Sequence, residues 1–192
     1  MVNHYNAKLL TRKAARSVLR ALLAAVIALG VTGIAAAQDN QDFVSPLLKF
    51  KGGIGVIPVT GVAANGTVNL NLVRGVTPGA PWRITNLEAT IGSDGHIKVA
   101  GRGLLLASGN GIGTNAGQSV HATLFCGPAA TATSHSTNPA GVALEADGDF
   151  RIDDFLSPFP PATCDTPVLL IRNVGGVWFA AGVPQVEDAD HK

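Results

Sequence analysis

The stretch Ser108–Cys126, SGNGIGTNAGQSVHATLFC, decides between two folds. Its first part, Gly111-Ile112-Gly113-Thr114-Asn115-Ala116, fits the dinucleotide fingerprint G-x-G-x-x-G/A and follows the apolar run Leu104-Leu105-Leu106-Ala107. Such a loop works only where a strand feeds it and a helix N-terminus follows, aiming free N–H groups at a pyrophosphate. The strand is present and the helix is not. From Ser119 the chain alternates, with Val120, Ala122 and Leu124 on one face, and its β-branched and aromatic residues suit a pleated strand. The next acidic residue is Glu145, too far on for the ribose-binding carboxylate expected about 20 residues after the loop. The glycines read as a crossing between strands, and no dinucleotide cofactor is expected.

The same period governs the rest of the chain. Thr67-Val68-Asn69-Leu70-Asn71-Leu72 alternates cleanly, and no segment beyond residue 37 sustains a 3.6-residue apolar repeat over ten positions. Four sites tolerate positive φ and read as hairpin tips: Asn65-Gly66, Asp94-Gly95, Asp147-Gly148 and Gly175-Gly176. A three-residue loop at Ser93-Asp94-Gly95 pairs Ile91 with Ile97 and Ala89 with Val99, gathering apolar residues on one face. The same loop at Ala146-Asp147-Gly148 pairs Leu144 with Phe150 and Val142 with Ile152. Four hairpins and the 119–126 run predict an all-β fold, an antiparallel β-sandwich or flattened barrel of about eight or nine strands.

The N-terminus predicts where the chain goes. Lys8, Arg12, Lys13, Arg16 and Arg20 precede an uncharged stretch, 21–37, that ends Ala35-Ala36-Ala37, the layout of a cleavable signal peptide. The stretch is shorter than the roughly 20 apolar residues that span a bilayer, so no integral span is expected after processing. The expected organisation is a signal peptide at 1–37, a polar lead-in at 38–53, the β-domain at 54–184 and an acidic tail at 185–192. Export to a periplasmic or extracellular space brings an oxidising compartment, in which Cys126 and Cys164 pair as one disulfide. Without its leader the chain keeps nine basic and thirteen acidic residues, a net charge of −4 with His neutral. That balance argues against tight nucleic-acid binding, which needs a basic face to displace counterions.

Candidate chemistry is sparse. No G-x-S-x-G, H-E-x-x-H or C-x-x-C motif occurs. The histidines His96, His121, His135 and His191 are too dispersed for a local metal cluster, and His135, in Ser134-His135-Ser136, reads as a loop residue. Glu145, Asp147, Asp149, Asp153 and Asp154 crowd one hairpin and are the candidate calcium ligands, because hard carboxylate oxygens are what that cation binds. Their spacing is not an EF-hand's, and Glu145 facing Asp149 is a like-charge pair that a cation, water or Arg151 would relieve. Carbohydrate recognition wants an aromatic platform, for which Trp82, Trp178 and Phe159 are the candidates. Asn65-Gly66-Thr67 is a glycosylation sequon that its place at a hairpin tip already explains.

The stretches GRGLLLASGNGIGTNAGQSVHATLFCG, DGDFRIDD and CDTPVLLIRNVGGVWFAAGVP resemble those of small exported bacterial proteins of uncharacterised function, over most of residues 82 to 184. The resemblance implies export and a shared fold, and it carries over no activity, ligand or functional residue. The expected function is a non-catalytic exported β-domain that binds an extracellular or envelope partner, a polymer or copies of itself. The alternative is a hydrolase or small-ligand enzyme whose site gathers distant loops, with His121 or His135 beside Asp153 or Asp154.

Overall fold

Thirteen strands and no helix make up residues 46–185, the part of the chain that the computed structural model describes. The expected signal peptide and nearly all of the expected acidic tail lie outside the described residues. In chain order the strands are β1 (Pro46–Gly55), β2 (Val59–Val62), β3 (Val68–Leu70), β4 (Trp82–Arg83), β5 (Asn86–Gly92), β6 (His96–Arg102) and β7 (Leu105–Leu106). They continue with β8 (Ser119–Cys126), β9 (Thr133–Ser136), β10 (Val142–Ala143), β11 (Phe150–Phe155), β12 (Val168–Asn173) and β13 (Trp178–Pro184).

Eight of them form one antiparallel sheet in the order β10-β8-β12-β13-β1-β5-β6-β11, with β9 added beside β8. The sheet curls until its two ends nearly meet. Ser136 of β9 and Ser157, just beyond β11, exchange two backbone hydrogen bonds of 2.9 and 2.8 Å, which ties the ring at one end. At the middle of this seam Thr137 takes the place of a strand: its N–H donates to the Ala122 carbonyl and its Oγ1 accepts from the Ala122 N–H, both at 3.0 Å. Inside the ring Leu87, Ile91, Ile97, Val120, Leu124, Leu169 and Ile171 are fully buried, as strand alternation requires. Each such side chain contributes roughly 1.5–3 kcal/mol by leaving water.

The hairpin reading holds where it is most specific. Across β5 and β6, Ile91 faces Ile97 and Ala89 faces Val99. Asn65-Gly66 joins β2 to β3, and Gly175-Gly176 joins β12 to β13. Cys126 and Cys164 form the expected disulfide, pinning the proline-rich segment before β12 to the end of β8.

Three expectations need correction. Residues 46–53 are not lead-in but part of β1, which pairs with β5 through its first half and with β13 through its second. Lys49 and Lys51 hide the pattern, because they face outward while Phe50 between them is buried. A bulge between Phe50 and Gly53, with Gly52 at φ +95°, lets one strand serve both neighbours. Second, the small-residue stretch 127–141 is not all loop, since Thr133–Ser136 is β9. Third, the turn at Asp147-Gly148 forms, but its arms part beyond Glu145 and Asp149. Val142 pairs with Val120 of β8, and Ile152 with Val99 of β6, so the expected Leu144–Phe150 and Val142–Ile152 pairs do not occur. Each arm pairs instead with a longer strand on its own side of the seam. Phe150 instead lies over Gly101, where a Cβ would stand 2.0 Å from its ring.

Candidate functional site

Within the glycine crossing, residues 108–117, several N–H groups bond back to the loop or to β7. Gly113 donates to the Leu106 carbonyl, Thr114 to Gly111 and Gln118 to Asn115, while the Asn115 side chain donates to the carbonyls of Leu144 and Glu145. The loop connects β7 to β8 with no helix behind it. Gly109, Gly113 and Gly117 take positive φ within it, so these glycines serve turns.

The five candidate calcium ligands are not brought to one point. Asp147 Oδ1 accepts from the Asp149 N–H, and Asp149 Oδ1 accepts from the Gly103 N–H at 2.9 Å. Asp153 and Asp154 sit at the far end of β11, roughly 13 Å along the strand from Asp149 at about 3.3 Å per residue. Asp154 accepts from the Asn138 N–H, and Asp153 Oδ1 lies 2.5 Å from His96 Nε2. Among the described residues no three His, Cys, Asp or Glu side chains form a group able to hold a metal ion.

The other candidates are separated as well. His135 is buried, with its ring nitrogens 2.8 Å from the Pro158 carbonyl and 2.9 Å from Thr133 Oγ1. His121 is buried on the opposite face of β8, across from Arg172 of β12, and its Nδ1 has no hydrogen-bond partner. Burial first, and the neighbouring guanidinium second, hold its pKa below the ordinary histidine value, so the ring is neutral near pH 7. Burial likewise lowers the Arg172 pKa. Trp82 stacks on Phe179 at 4.2 Å in the core, and Trp178 is buried with Nε1 donating to the Asn71 carbonyl. Neither Trp offers a platform to a sugar; of the three aromatic candidates Phe159 alone is exposed.

The feature that sequence reasoning missed is the outward face of β1, β5, β6 and β11. Register sets two rungs across it: Lys49, Thr90, Lys98 and Asp153 in one, and Lys51, Glu88, Ala100 and Arg151 in the next. Between residues 46 and 185 the chain has eight Lys+Arg and eight Asp+Glu. Five of those basic residues, Lys49, Lys51, Lys98, Arg102 and Arg151, share this face with Glu88 and Asp153, and Glu145 and Asp149 line a pocket with Arg102 and Arg151 at its edge. Small side chains at Thr90 and Ala100 leave a trough of about 540 Å³ between the lysines. Asp153 partly balances Lys98 at 3.8 Å, but an exposed pair of this kind is worth about 1 kcal/mol or less. At one end of the face His96 stacks on Phe155 at 4.8 Å, and Phe155 and Phe159 are 58% and 62% exposed. Lys49 and Lys98 lie about a third of the domain apart in sequence, and no local motif joins them before β1 is aligned to β5.

No protein-family model, curated protein or solved structure matches this chain. The disulfide, together with the lack among the described residues of any helix long and apolar enough to cross a membrane, fits an extracellular or periplasmic protein.

Proposed function

We propose that the protein is an exported binding domain without catalytic chemistry, whose ligand is an acidic polysaccharide outside the cytoplasmic membrane. The observation that carries this reading is the trough on β1, β5 and β6, lined by Lys49, Lys51 and Lys98 with the single acid Glu88, in a domain whose charges balance as a whole. Converging cations attract a polyanion, and their spacing along a rigid sheet lets successive carboxylates of a polymer be met at once. Phe155 and Phe159 add apolar rings against which a sugar face stacks. The basic leader and the disulfide support export. Titration with a polyuronate, beside a neutral glucan of equal length, tests the proposal. The polyuronate binds and the glucan does not, and the triple variant Lys49→Gln, Lys51→Gln, Lys98→Gln loses about tenfold or more in affinity. Equal binding by the triple variant, or no binding at low salt, rejects it.

A further inference from the structure

The β2–β3 ribbon is the one part of the described molecule whose apolar face meets nothing. Val59 pairs with Leu70 and Val62 with Val68, with a bulge between the two pairs, so these four side chains share a face. Ile57 and Leu72 flank its root just outside the two strands. All six are between 40% and 68% exposed. Thr60 and Asn69 occupy the other face, where Thr60 Oγ1 donates to the Asn69 carbonyl.

The ribbon is held upright rather than loosely tethered. Asn71 donates from its backbone N–H to the Pro58 carbonyl and from its side chain to Ile57, while its own carbonyl accepts from Trp178 in the core. A two-stranded ribbon is marginal in water unless one face is covered. Six aliphatic side chains exposed to this degree make a patch of the order of 500 Å², at the upper end of what a lone domain shows to water.

What covers the patch follows from its chemistry. Residues 52–73 contain no charged side chain and no aromatic one. A membrane-surface element carries Lys or Arg for headgroups and Trp or Phe for the interface, and this ribbon has neither. Its outer edges also lack the lysines and inward charges that keep the edge strands of monomers apart. A neutral aliphatic face is complementary to itself, because a twofold contact brings each residue near its own counterpart and no like charges meet. Two such faces together bury about 1,000 Å², the area at which a specific interface begins.

We infer that the protein forms a twofold-symmetric dimer by stacking the apolar faces of the β2–β3 ribbons of two copies. The inference stands apart from the polysaccharide reading, since no residue of the trough belongs to the ribbon. Sedimentation equilibrium of the purified protein between about 1 and 100 µM measures it. A monomer–dimer equilibrium is expected in that range. Val68→Lys raises the dimer dissociation constant by about 100-fold or more, and Thr60→Lys, on the polar face, changes it little. Mixing Val68→Lys with Val68→Glu restores a heterodimer, which also shows that both variants are folded. A monomer throughout the range, a dimer indifferent to Val68→Lys, or equal loss with Thr60→Lys overturns the inference. So does a monomer that instead floats with phosphatidylglycerol vesicles in a Val68-dependent way, which would assign the ribbon to lipid.

Discussion

The barrel and the β2–β3 ribbon are written in the same sequence code and end in opposite environments. Val120, Ala122 and Leu124 alternate with polar neighbours and are buried; Val68, Leu70 and Leu72 alternate as cleanly and are exposed. The barrel strands meet the inward faces of seven others, whereas β2 and β3 have only each other. Alternation thus specifies a two-faced ribbon, and the connections decide whether anything in the same chain covers the apolar face. A face left open after folding is a statement about partners.

That contrast can be broken in graded steps. The disulfide closes a loop spanning 38 positions within the barrel wall, and the paired change Cys126→Ala, Cys164→Ala should cost about 4 kcal/mol on the chain-entropy model, read as a fall in the urea midpoint. Leu87→Ala, at a fully buried position, should cost about 3 kcal/mol by the same measurement, because a cavity remains among Phe50, Leu169 and Gly182. His121 gives a smaller, pH-dependent effect. Its folded pKa lies below 6.5, so the unfolded chain takes up a proton that the folded one refuses. The stability present above pH 6.5 should therefore fall as the pH drops below that value toward the folded pKa, and His121→Gln should remove this part of the dependence between pH 7 and pH 5. The smallest change is expected in the ribbon. Leu70→Ala, measured in dilute protein where the monomer prevails, should shift stability by about 0.5 kcal/mol or less, since the side chain is already half in water. A loss from Leu70→Ala as large as that from Leu87→Ala would erase the distinction between the two regions.

Legibility followed the range of the interaction. Ser93-Asp94-Gly95 and its flanking pairs could be read because a turn and its register are encoded within a dozen residues. The two cysteines could be matched because there were only two. β1 escaped, since Lys49, Lys51, Gly52 and Gly53 look like a polar linker until the strand is set between β5 and β13. β9 escaped because Thr133–Ser136 carries no apolar face of its own and borrows its place from β8. The trough shared that fate. Its lysines become neighbours only through the β1–β5 pairing, between residues about 40 apart, which no local spacing encodes.

The position of β1 also bears on how the domain comes into being. Its first half lies beside β5 and its second beside β13, so the earliest strand of the domain waits for the last before either sheet edge disappears. The wall stays open along that line until the strand ending at Pro184 is in place. Assembly then joins the first and last of the described strands, a pairing of large sequence separation and correspondingly slow. Until that pairing forms, the wall is two separate halves, β10-β8-β12-β13 and β1-β5-β6-β11.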